Sequence, residues 1–287
     1  MSRYTHEELS GLIRDAHAPQ DAKAAFRRII YDHYKKHGRA LPWRNAPTPY
    51  EVFVSEIMLQ QTQVERVVNK FPTFLARFPD FRALADSTAG EVVAAWQGMG
   101  YNRRALSLHR AAKIIVEKHG GALPIHIEEL EALPGIGKAT ARSIAAFAFN
   151  EPVVFIETNI RSVFIHFFFP GAENVPDAEI LPLVERTLDR KNPSRWYNAL
   201  MDYGVMLKKE NANPSRKSAA YRPQAPFKNS RRQKRGRILA RLVESGPLGI
   251  AGAAALLGVD IETAGGLLDE LEREGFIRKK GRAYVLS

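Results

Sequence analysis

Two carboxylates and one glycine turn are the features of this chain whose residue types and surroundings could do chemistry. Glu56 stands in VSEIMLQQTQV, an acid inside an otherwise apolar helical stretch, with Leu59, Gln60 and Gln63 on a neighbouring face. Burying such an acid is costly unless it has a task. A desolvated glutamate with a raised pKa makes a good general acid. Taken alone, a helical glutamate is more often at the surface or paired, so context decides. Glu157 stands in FIETNIR, after the apolar run Val153 to Phe155. On spacing alone two readings are level. One is a helix N-cap or first-turn acid. The other is a carboxylate fixed to stabilise a cationic sugar in a transition state, as paired carboxylates do in sugar hydrolases. The turn is Leu133-Pro134-Gly135-Ile136-Gly137-Lys138-Ala139-Thr140-Ala141. Gly135 and Gly137 allow a tight backbone, and the amides of the turn and of the following helix N-terminus can point outward at a phosphate, with Lys138 beside them. Gly-x-Gly alone also fits an ordinary corner; the whole string between two helical segments favours the phosphate site. Such a contact positions a nucleic acid without reading its sequence.

The elements that must hold these residues are mostly helical, because apolar residues recur at helical spacing almost throughout. Tyr50 to Phe78 reads as helix starting at Pro49, with Pro72 marking a break or the first turn of a second helix. Asp86 to Gln97 follows, ended by Gly98 and Gly100; Arg103 to Lys118 is amphipathic and stops at Gly120 and Gly121. Glu128 to Leu133 and Lys138 to Phe149 flank the glycine turn. Lys208 to Arg241 then changes character, with twelve lysines or arginines, one acid and three prolines. Lys208 to Ser230 reads as a basic, mostly non-helical linker, either a solvated tether or a direct DNA contact. Arg232 to Glu244, Ile250 to Leu257 and Ile261 to Glu274 read as three helices, and the closing GFIRKKGRAYVLS as a hairpin turning at Lys280–Gly281. That order is the order of a winged helix. The expected division is a body over 1–207, a linker over 208–230 and a winged-helix-like domain over 231–287.

Composition narrows the chemistry. The 287 residues carry a formal net charge of +11, which favours an anionic partner, most commonly DNA or RNA. There is no cysteine, so disulfides, thiolate zinc sites and cysteine-held iron–sulfur clusters are excluded. The eight histidines show no tight metal spacing, and no metal site is expected. The start lacks the apolar core of a secretory signal, and no run of about 18 apolar residues predicts a membrane span. The expected setting is cytoplasmic and nucleoid-associated.

These strings resemble the helix-hairpin-helix (HhH-GPD) DNA glycosylases, and among them the adenine DNA glycosylase (MutY) branch. The resemblance rests on LPWR at Leu41–Arg44, PYEVFVSEIMLQQTQV at Pro49–Val64, GMGYNRRALSLHRAA at Gly98–Ala112, LPGIGKATA, and MDYGVM at Met201–Met206, and it covers roughly residues 26 to 225. Gly137 and Glu157 are twenty residues apart, as turn and catalytic acid are in that group. The resemblance implies an all-α, two-lobed body. It makes Glu56 the acid that protonates adenine N7 and later activates water, and Glu157 the second catalytic carboxylate. Gln61 and Thr62 would wedge into the duplex, and Tyr101 would be an aromatic inserted into the stack. Trp43, Arg44 and Leu59 would form the pocket for the flipped base, with Asn159 as the amide supporting the acid. A base must leave the stack before its glycosidic bond can be reached, and an aromatic wedge replaces lost stacking.

The chain also departs from the pattern. Glu157 stands where that group almost always has Asp, and one methylene moves a carboxylate by about 1.5 Å. Ala139 stands where bifunctional lyases carry a Schiff-base lysine, which implies a monofunctional enzyme. The four cluster cysteines fall near Lys208, Ser215, Ser218 and Gln224, so no iron–sulfur cofactor is expected and the basic segment is expected to replace the cluster by packing and charge. The C-terminal residues do not resemble the Nudix-like domain that reads 8-oxoguanine in this branch. The expected function is hydrolytic removal of adenine opposite guanine or 8-oxoguanine from double-stranded DNA, by a monomer. Alternatives are a glycosylase of the same fold for T or U mismatches or another modified base, and a catalytically weak DNA-binding protein.

Overall fold

The computed structural model describes residues 4–15, 17–45, 47–210, 213–223 and 226–287. In chain order its helices are α1 (His6–Arg14), α2 (Gln20–His37), α3 (Pro49–Leu59), α4 (Val64–Arg77), α5 (Phe81–Asp86), α6 (Ala89–Ala95), α7 (Arg103–His119), α8 (Ile127–Glu131), α9 (Lys138–Phe149), α10 (Thr158–Phe168), α11 (Asp177–Thr187), α12 (Pro193–Glu210), α13 (Arg231–Ser245), α14 (Ile250–Leu257) and α15 (Ile261–Glu274). Short 3-10 turns cover Pro42–Arg44 and Pro214–Lys217, and three strands complete the chain: β1 (Leu248–Gly249), β2 (Ile277–Lys280) and β3 (Ala283–Leu286). The protein is thus an all-α body with a small α+β domain at its C-terminal end.

Compactness divides the chain into Met1–Asn45 with Gly137–Pro223, and Ala46–Ile136 with Gln224–Ser287. This cuts across the expected boundaries at 207 and 231, because the C-terminal residues share a core with α6 and α7. Val93 and Leu106 belong to the same buried cluster as Ile238, Leu239, Leu268, Leu271 and Phe276. Polar contacts reinforce that seam: Gly90 N donates to Ser287 O at 2.6 Å, Arg110 Nη2 to Glu274 O at 2.9 Å, and Arg103 pairs with the Glu274 carboxylate at 2.7 Å.

In this second unit α3 starts as its sequence dictates. Thr48 and Glu51 form a reciprocal capping box, and Pro49 takes the first helical position, where a missing N–H costs nothing. The break after α3 is not at Pro72, which lies inside α4. It falls at Gln60–Gln63, where Gln61 adopts a left-handed backbone with φ 53°. The C-terminal portion has the winged-helix order of elements, and its sheet is larger than the expected hairpin. β1, between α13 and α14, pairs with β3 at Leu248↔Tyr284, giving three antiparallel strands in the order β1-β3-β2.

The first unit is built on an aromatic core. Phe26 of α2 meets Phe164, Phe167 and Phe168 of α10 and Trp196 of α12, with ring centroids 5.1–5.9 Å apart. Such edge-on packing adds to the apolar area the rings bury. The segment expected to be a basic linker from Lys208 belongs in part to this core. Lys208 to Glu210 finish α12, and Pro214, Ser215 and Ser218 are buried. Val175 clips the loop from both sides, donating to Lys217 O at 2.8 Å and accepting from Ala219 N at 2.9 Å.

Candidate active site and nucleic-acid interface

Each unit positions its own share of the expected residues. In the unit of α3 to α8, Glu56 lies half-buried on α3 between buried Ser55 and Ile57, and Leu59 is half-buried at the helix end. Gln61 is exposed, Thr62 half-buried, and Tyr101 half-buried with φ 46°. Two of these loops therefore carry a non-glycine residue in a left-handed conformation, which is uncommon and needs local support. The support is Arg104, which sequence reasoning missed. Its guanidinium donates to the carbonyls of Ile57 at 2.9 Å, Met58 at 2.8 Å and Gly100 at 3.1 Å, to that of Gln60, and to Thr62 Oγ1 at 2.8 Å. It lies 5.3 Å from the Trp96 ring and 5.5 Å from the Tyr101 ring. One side chain thus closes the C-terminus of α3 and binds the Gln60–Thr62 loop to the Gly98–Tyr101 loop. Burial pushes its pKa down to about 10, which leaves it charged at neutral pH. The legible signal was GYNRRA: an arginine in the first turn of a helix, where the macrodipole disfavours a cation.

Arg232, from α13, makes a second contact to the expected wedge. It hydrogen-bonds the Tyr101 hydroxyl and lies 5.2 Å from its ring. Gly135 is exposed with φ 81°, and a Cβ there would come within 2.7 Å of Ser107 Cβ, so both backbone and space demand glycine. Its carbonyl accepts from Gln60 Nε2 at 3.2 Å, which ties the glycine turn to the end of α3.

In the other unit, Gly137 is the N-cap of α9 and Lys138 its exposed first residue, with Ala139 also exposed. Trp43 is buried in the 3-10 turn. Arg44, expected in the base pocket, is instead turned inward. It is only 7% exposed and pairs with Asp202 of α12 at 2.9 Å, beside Arg39 at 2.7 Å. Burial alone would raise the Asp202 carboxyl. Hydrogen bonds and charge from Arg44 and Arg39 outweigh that and hold it below the usual range. A guanidinium so engaged anchors the turn that carries Trp43. Asp202, an acid inside the otherwise apolar stretch 199–207 of α12, was the sequence signal for it.

Of the two sequence readings of Glu157, the structure shows the N-cap. It is the N-cap of α10: one carboxylate oxygen accepts from Asn159 N at 2.8 Å and Ile160 N at 2.9 Å. The other accepts from Asn159 Nδ2 at 3.2 Å. Capping does not exclude chemistry, because it fixes an acceptor in place.

An iron–sulfur cluster does not fit these residues. The chain has no cysteine, and no group of three His, Asp or Glu suited to a metal occurs among the described residues. Of the positions near the family's cysteines, Ser215 Oγ donates to Asn213 Oδ1 at 2.8 Å, Ser218 Oγ accepts from Ala220 N at 3.1 Å, and Gln224 lies outside the described residues. No single helix among the described residues is long and apolar enough to cross a membrane.

The chain is similar in sequence and in fold to known proteins. Residues 54–181 match the family model described as HhH-GPD superfamily base excision DNA repair protein. The adenine DNA glycosylase of Buchnera aphidicola subsp. Baizongia pistaciae is 35% identical over 187 residues, 63% of this chain and 52% of that protein. That of Mycobacterium tuberculosis (strain H37Rv) is 37% identical over 181 residues, 61% of this chain and 59% of that one. That of Homo sapiens is 32% identical over 195 residues, covering 64% and 36%. The chain therefore spans little more than half the length of the bacterial relatives it matches. Among solved structures, a thermostable thymine-DNA glycosylase superposes with a TM-score of 0.57 at 22% identity, covering 64% of this chain and 86% of that one. A non-covalent endonuclease III–DNA complex gives 0.52 at 17% identity, covering 62% and 84%. At these identities the solved structures speak for the fold alone.

Proposed function

We propose that the protein is a monofunctional DNA N-glycosylase of base excision repair that hydrolyses the glycosidic bond of adenine mispaired with guanine or 8-oxoguanine. The observation that carries the chemistry is the Glu157 carboxylate, held at the N-terminus of α10 by two backbone amides and Asn159. The similarity to adenine DNA glycosylases supports the choice of base.

In this reading Glu56 gives its proton to adenine N7. The C1′–N9 bond breaks with its electron pair leaving on the base, and the sugar becomes an oxocarbenium ion. The preorganised Glu157 carboxylate stabilises that cation. The Glu56 carboxylate then takes a proton from water as the oxygen attacks C1′. The products are adenine and an abasic site. Exposed Ala139 offers no amine for a Schiff base, so strand scission awaits added alkali. Gln61, Thr62 and Tyr101 enter the duplex where the base leaves, and the turn at Gly135–Lys138 takes a phosphate. The enzyme acts as a cytoplasmic, nucleoid-associated monomer without an iron–sulfur cluster, the Val175 clip supplying the loop order a cluster would otherwise supply.

The test is incubation with an A:8-oxoguanine duplex followed by alkali, which is expected to break the strand at the adenine. Folded protein giving no break there, but a break on a T or U mismatch in the same panel, would replace adenine as the substrate.

A further inference from the structure

The Glu157 carboxylate is supported by more than its own helix. α12 crosses α10 at Gly204, where a Cβ would lie 2.3 Å from Asn159 O and 2.8 Å from Asn159 Cβ. Only glycine permits that approach. Four residues further along the same face of α12 stands Lys208. Its ammonium donates to Asn159 Oδ1 at 2.7 Å. An ammonium has donors and no acceptor. It therefore fixes the Asn159 amide with oxygen toward Lys208 and Nδ2 toward Glu157, the orientation in which Nδ2 meets the carboxylate at 3.2 Å.

The charges around Lys208 single out the same carboxylate. Arg161 of α10 also acts on it, but Arg161 is paired through Nε and Nη2 with Asp177 of α11, each at 2.7 Å. The acid acting on the ammonium is Glu157, one amide away. Burial pushes the Lys208 pKa down, partly opposed by the Glu157 charge, so the site keeps this amine at a desolvation cost. A leucine or methionine would fill the space without that cost.

We propose that Lys208 is a positioning residue for the reaction: through Asn159 it locks the Glu157 carboxylate and adds positive charge behind it. This rests on the reading of Glu157 as the carboxylate that meets the sugar cation. It requires that Lys208 govern the chemical step and leave duplex binding alone.

The experiment measures single-turnover adenine release and duplex Kd for the full chain and for Lys208→Met, Lys208→Arg and Glu157→Gln. Lys208→Met keeps the stem and loses donor and charge. Its single-turnover rate should fall on the order of tenfold, with Kd within about twofold and the circular dichroism unchanged. Lys208→Arg, which restores donor and charge, should recover most of the rate. Lys208→Leu is the second variant should methionine disturb the fold. A wild-type rate in either folded apolar variant overturns the proposal, as does a loss confined to Kd or no recovery with arginine. Glu157→Gln separates the two layers. If it keeps the full rate, the role of Glu157 falls and this one with it. If it is inactive while Lys208→Met is not impaired, only the role of Lys208 falls.

Discussion

The arginine web around Arg104 and the wing at Arg278–Arg282 are both strongly basic, and they use their charge in opposite ways. Arg104 points inward and satisfies four backbone carbonyls and a hydroxyl. Nearby, Arg235 is bound to Glu270 and Glu274, Arg103 to Glu274, and Arg231 to Glu270. The wing is the reverse. Arg278, Lys279, Lys280 and Arg282 are exposed and form no ion pair among the described residues. The net charge of +11 is therefore not one footprint for a polyanion. Part of it is internal structure, fixed by the planar fork of arginine, and only the remainder can meet phosphate. The third helix of the winged-helix order, α15, belongs with the first group. Four of its five acids are taken up: Glu270 and Glu274 by Arg231, Arg235 and Arg103, Glu272 by Lys279 N at 2.7 Å, and Asp269 by the Tyr284 hydroxyl at 3.2 Å. An acidic helix so engaged is a poor element to lay in a DNA groove, whereas the wing has charge to offer.

The sharpest way to break that distinction is at Arg104. Arg104→Ala strands several carbonyls and frees two left-handed loops, so it should cost about 3 kcal/mol or more. The urea midpoint followed by tryptophan fluorescence should fall, since Trp96 lies against the guanidinium. Arg104→Lys should recover little, because a point charge cannot fork to several carbonyls. The salt dependence of DNA binding should keep its slope in any variant that remains folded. A shallower slope with an unchanged midpoint would move Arg104 to the DNA and erase the contrast.

Gly135→Ala comes next. The φ of 81° and the 2.7 Å approach to Ser107 Cβ both oppose a side chain. Local strain of about 1–3 kcal/mol is expected, read as a roughly tenfold weaker duplex Kd with a smaller change in the urea midpoint than Arg104→Ala. Ser107→Gly in the same protein should recover the share due to the clash and leave the share due to φ.

How far these features could be read in advance follows from their range. Helices α3, α4, α6 to α9 and α13 to α15, and the closing β2–β3 hairpin, were legible, because capping residues and apolar spacing are local signals. The break at Gln61 was not, because its left-handed backbone is held by Arg104, more than forty residues away in sequence. β1 was missed because two residues become a strand only through their pairing with β3. Glu157 was legible as an N-cap and as a catalytic candidate, and the structure shows the cap. Arg44 was assigned to the base pocket from its motif, since nothing in LPWR reveals Asp202 beneath it. Lys208 was counted with a basic linker, either a tether or a DNA contact, because composition cannot tell a lysine at the end of a helix from one on a linker.

A smaller effect sharpens the internal side of the comparison through pH. Hydrogen bonds from Arg103 and Arg235, against the opposing effect of burial, bring the Glu274 carboxyl down to about 2. A group whose folded value is depressed contributes stability that is complete above its unfolded value, about 4.3 for glutamate. That contribution is lost as pH falls from there toward about 2. Glu274→Gln should therefore lower stability at pH 7 and remove part of the acid sensitivity between pH 4.3 and 2, in thermal unfolding followed against pH. Equal acid sensitivity in the variant would show that the Arg103 and Arg235 contacts are superficial.

The wing supplies the smallest effect on the protein and the most direct test of which cations meet DNA. Arg278, Lys279, Lys280 and Arg282 stand outside the core that Ile277 and Tyr284 enter, so changing all four to glutamine should leave stability within about 0.5 kcal/mol. If the wing meets phosphates, each lost contact removes about 0.9 from the slope of log K against log salt. The fourfold variant should therefore bind duplex with a slope shallower by about 1 to 3, and with little change in the rate of base release once bound. Glu262→Gln on α15 should leave the slope where it was, because that helix is not expected to approach the backbone. An unchanged slope in the wing variant would mean that free charge here serves solubility alone, and the division between internal and outward-facing cations would then say nothing about where DNA lies.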